Sequence, residues 1–161
     1  MKLYLIQHGE SKSESEDPAR PLTSAGRTAV ENVGRHLARA ALLGSSLAVR
    51  HSGKLRAAQT AEILSSCLRL VVSPEAAGGL APNDPPEAAL ELIHCSSSDL
   101  MLVGHLPHLS RLASLLLVGA AERPVVRFRM GGVVCLARDD SGVWALEWML
   151  VPELAYPPPR S

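Results

Sequence analysis

Three residues in this sequence combine a type and a position suited to chemistry on an anion: His8, Arg56 and His105. His8 and His105 each follow a short apolar run that reads as a strand, and Arg56 lies just inside the helix after another. With those strands parallel, all three residues sit beyond carboxyl ends, where open α/β sheets bind ligands. Helix N-termini point to the same edge, and their free amides favour anions. Two imidazoles and a guanidinium there suggest phosphate chemistry. Each residue alone has a structural reading, since a histidine after a strand is commonly incidental and Arg56 could be a solvated helix residue. His36, His51, His94 and His108 carry no chemical role in this reading. No carboxylate cluster or histidine spacing supports a metal site.

The elements that must position these residues alternate. Lys2–Ile6 reads as a buried strand ending at Gln7-His8-Gly9-Glu10, followed by a polar, acidic loop from Ser11 to Arg20. Thr23 or Ser24 caps a helix with Val30, Val33, Leu37 and Ala41 on one face, and Gly44 stops it. Strand Leu47–Val49, helix Lys54–Cys67 and strand Leu70–Val72 come next, then a Gly/Pro/Asn-rich loop, helix Glu87–His94 and strand Leu100–Val103. Gly104-His105-Leu106-Pro107 turns into an apolar helix through Leu109, Leu112 and Leu116. Val125–Phe128, Val133–Ala137 and Val143–Leu150 read as strands, with Asp139-Asp140-Ser141-Gly142 as a hairpin turn. The expected fold is therefore α/β: a three-layer α/β/α sandwich, its central sheet mostly parallel with antiparallel C-terminal edge strands. One domain spans residues 1–152, and 153–161 form a Pro-rich tail that is extended or frayed.

Bulk properties narrow the function classes. At 161 residues the chain suits one domain with a real core. Lysine plus arginine equals aspartate plus glutamate at 16 each, so no net field recruits nucleic acid or anionic membrane. The aromatic residues are Tyr4, Phe128, Trp144, Trp148 and Tyr156, too few for base-stacking platforms. Cys67, Cys95 and Cys135 are odd in number and form no CxxC pair, which reads as buried hydrophobes rather than a disulfide framework or zinc site. No signal peptide or membrane span is visible, and a cytoplasmic location is expected.

Four segments, in order, resemble the histidine phosphatase superfamily, also called phosphoglycerate-mutase-like. Leu3-Tyr4-Leu5-Ile6-Gln7-His8-Gly9-Glu10 resembles the opening strand and Arg-His-Gly motif. Pro21-Leu22-Thr23-Ser24-Ala25-Gly26 matches the start of the first helix. His51-Ser52-Gly53-Lys54-Leu55-Arg56-Ala57-Ala58-Gln59-Thr60-Ala61-Glu62 resembles the Ser-Pro-x-x-Arg-Ala-x-Gln-Thr-Ala motif, and Val103-Gly104-His105-Leu106-Pro107 the third, Gly-His, motif. The order and compactness look most like SixA-type phosphohistidine phosphatases, which lack a cap subdomain. The resemblance implies hydrolysis of phosphohistidine on a partner protein, with His8 as nucleophile and N-phosphohistidine as the intermediate. It implies that Arg56 grips phosphoryl oxygens as a planar fork and that His105 donates a further hydrogen bond. Gln7 and Gly9 complete the phosphate-binding set. No cofactor or metal is required, the partners are a phosphorylated protein and a phosphate or other oxyanion, and neither nucleic acid nor membrane is involved.

Two departures from that pattern stand out. Gln7 replaces the usual arginine: it can hydrogen-bond but carries no charge, a deficit of about tenfold or more in phosphate affinity or rate. The SixA-type Glu-Leu-x-Pro run reads here Gly79-Leu80-Ala81-Pro82, so the general acid is missing. Asp84, Glu87, Glu10 and the acidic residues between Glu14 and Asp17 are the remaining candidates. The alternatives are a small-molecule phosphomonoesterase, and a non-catalytic phosphohistidine-binding module motivated by Gln7 and the missing acid. A mutase is disfavoured because no insert encloses the site.

Overall fold

The computed structural model describes residues 1–44 and 47–155. Its elements in order are β1 (Lys2–Gln7), α1 (Ser24–Ala40), β2 (Ala48–His51), α2 (Leu55–Leu68), β3 (Glu75–Ala76), α3 (Pro86–His94), β4 (Leu100–Gly104), α4 (His108–Val118), β5 (Val133–Arg138), β6 (Trp144–Leu150) and α5 (Pro152–Ala155). The six strands form one sheet in the order β3-β2-β4-β1-β5-β6. Neighbours from β3 to β1 are parallel, and β5 and β6 add antiparallel at the far side. This is the open α/β sheet the alternation predicts.

Alternate residues of β1 feed two core layers. Tyr4 and Ile6 pack with Val30, Val33 and Leu37 of α1, Leu64 of α2 and Ala155 of α5. Leu3 and Leu5 face the other way, against Ala89 and Ile93 of α3 and Leu109 and Leu112 of α4. A strand buried on both faces is necessarily apolar throughout. Each fully buried leucine or isoleucine there contributes about 1.5–3 kcal/mol.

Several boundaries differ from the sequence reading. The third strand is not Leu70–Val72. Helix α2 ends at Arg69 with φ of 53°, and the Leu70 amide donates back to Ser65 O at 3.0 Å. This winds the apolar run into the helix C-cap and leaves Val71 81% exposed, so the edge pairing falls to Glu75–Ala76. Val125–Phe128 is not a strand either. Val126 and Phe128 are buried and Val125 and Arg127 exposed, but the segment pairs with no strand: β5 takes the place beside β1 and β6 the place beside β5, and Val126 and Phe128 pack into the α3–α4 core layer instead. Helix α1 stops at Ala41, with φ of 51°, rather than at Gly44. The expected tail from residue 153 begins as the last residues of α5, with Ala155 buried against the core. Residues 156–161 lie outside the described residues.

Candidate active site

The sheet order makes β2, β4 and β1 neighbours, so the loops that follow them open side by side. Two hydrogen bonds continue the ladder beyond the strands: His8 N donates to Gly104 O at 3.1 Å, and Ser52 N donates to Val103 O at 3.2 Å. They lock three polar turns in register. Here His8, Arg56 and His105 converge, all buried beneath the rim.

The His8 ring is held at both nitrogens. Nδ1 lies 2.7 Å from the Gly9 carbonyl oxygen, which can only accept. Nδ1 therefore carries the proton, and Nε2 keeps its lone pair. Arg56 Nε–H donates to that lone pair at 3.2 Å. Burial pushes the His8 pKa down, the Gly9 hydrogen bond opposes this, and the charges of Arg56 and Arg20 lower it further. The ring is neutral near pH 7, with Nε2 unprotonated and aimed at a guanidinium.

Arg56 sits in the first turn of α2, where its own backbone joins the scaffold. Thr60 Oγ1 donates to Arg56 O at 2.7 Å and accepts the Gly9 amide at 3.0 Å. One hydroxyl thus ties the turn after β1 to the helix after β2. Burial, and then the charge of Arg20, lowers the Arg56 pKa; a guanidinium remains charged regardless.

His105 packs beside His8 with ring centroids 4.9 Å apart. Its Nε2 lies 2.6 Å from Ser52 Oγ, and its Nδ1 is buried without a partner. Burial, reinforced by the charges of His8, Arg56, Lys54 and His108, takes its pKa down to about 3. His105 is therefore a neutral imidazole, able to donate one N–H. Gln7 ends β1, 7% exposed, and its carbonyl accepts from Gly131 N at 2.9 Å.

Helix α1 must come very close to this turn. Thr23 caps it through a hydrogen bond from Gly26 N at 2.9 Å, and the Thr23 hydroxyl donates to Glu10 Oε1 at 2.7 Å. A Cβ on Gly26 would lie 2.1 Å from Glu10 O. Only glycine lets the helix N-terminus approach the chain just beyond His8-Gly9.

The carboxylates considered as general acids are engaged elsewhere. Asp84 Oδ2 accepts from Ala81 N, Glu10 binds Thr23, Glu16 binds Ser13, and Asp17 accepts from Ala19 N. Glu14 and Glu87 are exposed. Among the described residues, none of these carboxylates hydrogen-bonds His8, Arg56 or His105. At the position of the missing acid, Gly79 has φ of +80°, and a Cβ would lie 2.8 Å from Ala88 Cβ. The loop here is built for glycine. Among the described residues no group of three or more histidine, cysteine or acidic side chains could hold a metal.

Sequence reasoning missed three participants. Ser52 belongs to the second motif and ends its strand as His8 does, which was the available signal. Thr60 was visible only as part of that motif. Arg20 had no signal: a loop neck formed by the Ser11–Leu22 bridge and the Lys12 N to Pro21 O bond returns it toward the site. Its charge acts on both His8 and Arg56.

The geometry has a recognisable counterpart among solved structures. The protein histidine phosphatase SixA complexed with tungstate superimposes with a TM-score of 0.81, at 24% identity, over 94% of this chain and 97% of that one. The fold is that of the SixA-type histidine phosphatases. An alpha-ribazole phosphatase from Shigella flexneri is also similar to the SixA-type fold of this chain, with a TM-score of 0.73 at 17% identity over 94% of this chain and 97% of that one. The sequence matches no family model. It is 30% identical to an uncharacterized protein of Picosynechococcus sp. over 93% of this chain and 99% of that protein, and the two belong to one family. Among the described residues, no helix is inserted over the strand ends beside His8.

Proposed function

We propose that this protein is a phosphatase that removes the phosphoryl group from phosphohistidine on another protein, through a phosphorylated His8. The observation that carries this reading is the His8 ring itself: Nδ1 bound to Gly9 O fixes the tautomer, and the Nε2 lone pair faces Arg56. When a phosphohistidine arrives, the Arg56 guanidinium turns from Nε2 to two phosphoryl oxygens, which frees the lone pair. The other ring nitrogen of the phosphohistidine takes a proton from water, and Nε2 of His8 then forms a bond to phosphorus in line with the departing substrate nitrogen, which leaves with the P–N electron pair as neutral imidazole. The Gly9 carbonyl stabilises the imidazolium character that develops at Nδ1–H. His105 donates an N–H to a phosphoryl oxygen, so positioning and electrostatics supply most of the acceleration. Water next attacks phosphorus, His8 recovers its electron pair, and phosphate departs. Three free cysteines, Cys67, Cys95 and Cys135, suit the reducing cytoplasm.

Substrate class follows from the missing acid. An alkyl phosphate expels an alkoxide about as basic as hydroxide, with a conjugate-acid pKa near 15.7 for the water analogue. That departure needs a proton delivered in the transition state, worth about 10²–10⁴-fold. Imidazole, with a conjugate-acid pKa of about 6.5, leaves as a neutral base without one, because the other ring nitrogen of the phosphohistidine takes its proton from water beforehand. The uncapped site also admits a histidine presented on a protein surface. A small-molecule phosphomonoesterase remains the rival reading, since the fold is shared with an alpha-ribazole phosphatase. Gln7 and Gly79 motivate a binding module without turnover.

The test compares kcat/KM for a phosphohistidine protein, p-nitrophenyl phosphate and 3-phosphoglycerate, and assays acid-labile phosphate on the chain itself. The expected order is the phosphohistidine protein and the aryl phosphate far above phosphoglycerate, with label on His8 that His8→Ala abolishes. Equal or better turnover of phosphoglycerate would favour the monoesterase. Tight binding of the phosphohistidine protein without turnover would favour the binding module.

A further inference from the structure

The segment from Arg123 to Met130 belongs to the irregular link between α4 and β5. It is anchored at both faces. Val126 and Phe128 are buried in the α3–α4 core layer. At its end, Gly131 N donates to Gln7 O at 2.9 Å and lies 3.2 Å from His8 O. The segment is therefore attached to the very turn that carries His8. Burial of Val126 and Phe128 sends Arg127 and Arg129 outward, and Arg123 is exposed as well. A groove of about 380 Å³ runs between this segment and Leu106, the residue after His105, with Val125 and Arg127 in its wall.

The charge on this rim is uncompensated. The ion pairs among the described residues are Lys2–Glu147, Arg35–Glu31, Arg50–Glu75 and Arg111–Glu122, and none uses Arg123, Arg127 or Arg129. Glu122 next door is taken by Arg111 at 3.3 Å. Glu10 and Glu153 line the depression on the far side of Met130 and bound the cationic face there. Since the whole chain is formally neutral, three unpaired arginines in seven positions are a local concentration rather than a bulk excess. Exposed apolar groups lie among them: Leu106, Val125 and Met130 are 39%, 46% and 51% exposed. Arginine and methionine mixed with apolar surface is the composition of protein interfaces. A single-stranded nucleic acid would need stacking faces, and the segment's one aromatic residue, Phe128, is buried.

We propose that this arginine rim is the docking surface for the phosphoprotein, and that it selects a phosphohistidine flanked by carboxylates. The inference rests on the phosphatase reading above and adds the chemistry of the partner. Opposed charge at a rim acts mainly on encounter and falls with salt. The cationic face therefore enriches acidic substrates at the groove and leaves the chemical step to His8.

The experiment uses two fluorescent peptides of equal length carrying one phosphohistidine, flanked by Asp/Glu in one and by neutral residues in the other. Wild type should favour the acidic peptide by about tenfold or more in kcat/KM at low salt, and the preference should vanish near 0.5 M salt, where the Debye length is only several Å. R127E/R129E should abolish or reverse the preference while p-nitrophenyl phosphate turnover stays unchanged, and R127K/R129K should keep it. Equal efficiency on the two peptides, or a preference that survives charge reversal, would overturn the proposal. If no substrate is turned over, the phosphatase reading fails, and anisotropy titration of the same peptides still decides the docking surface. Tighter binding of the acidic peptide that R127E/R129E removes would support it. Equal binding of both peptides, or tighter binding of a single-stranded RNA oligomer, would overturn it.

Discussion

Replacing Arg56 by lysine separates the charge of this side chain from its shape. The structure gives Arg56 one side-chain contact, its Nε–H to His8 Nε2 at 3.2 Å, and the proposed function gives it a second task, holding phosphoryl oxygens with its terminal nitrogens. Lysine keeps the charge but brings one point donor instead of a planar fork. The loss is one charged hydrogen bond, about 1.5–3 kcal/mol, which is about 10- to 150-fold in kcat/KM. Arg56→Ala removes the second bond and the charge, for about 10²–10⁴-fold. The fold should tolerate both, because Thr60 bonds the Arg56 carbonyl, not its side chain. The pH profile supplies an independent reading. Arg56 disfavours the protonated form of His8, behind the larger effect of burial. Removing that charge raises the His8 pKa, so the acidic limb of kcat/KM moves to higher pH in Arg56→Ala and stays near its place in Arg56→Lys. The assay is kcat/KM for p-nitrophenyl phosphate across about pH 5 to 8, spanning the ordinary histidine range. Wild-type efficiency in Arg56→Lys would refute the claim that the guanidinium grips the phosphoryl group. An unmoved limb in Arg56→Ala would refute its coupling to His8.

Two further outcomes are expected. His8, His105 and His108 are buried with lowered pKa values, His105 at about 3. The unfolded chain therefore binds more protons, and stability should be full above about pH 6.5 and fall as the pH drops toward 3. Urea titrations between pH 7 and 4 check this, and a flat midpoint would contradict it. Gly79→Glu restores the acid in sequence only: the left-handed backbone and the 2.8 Å approach to Ala88 should cost roughly 1–3 kcal/mol. Turnover of 3-phosphoglycerate should not rise, and a gain of tenfold without loss of stability would show that the loop can deliver a proton.

The α/β class and the motif positions were legible in one dimension, because a parallel strand buried on both faces must be apolar for its whole length and must end in a polar turn. Leu3–Ile6 and Leu100–Val103 satisfy that rule, and the polar residues after them mark where the sheet opens. The same rule misled at Leu70–Val72 and Val125–Phe128. At Val125–Phe128 the alternation reported burial of Val126 and Phe128 but not pairing, which is a property of the whole sheet, whereas at Leu70–Val72 the apolar run is wound into the C-cap of α2 and Val71 is left exposed. The helix stop at Ala41 instead of Gly44 is of the same kind, since the end of packing against the core counts for more than the nearest glycine. In the site, His8, Arg56 and His105 were nameable from type and spacing. The tautomer of His8, the partnership of Ser52 with His105 and the return of Arg20 were not. The tautomer follows from the fold of the turn that brings the Gly9 carbonyl round to Nδ1, the Ser52–His105 contact joins loops 53 positions apart, and the ladder bonds to Gly104 and Val103 bring those loops to one edge. Sequence determined which groups were available for the proposed phosphate chemistry. Tertiary structure decided which ring nitrogen of His8 keeps its lone pair, because the carbonyl of Gly9 takes Nδ1–H while the guanidinium of Arg56 meets Nε2 on the other side of the ring.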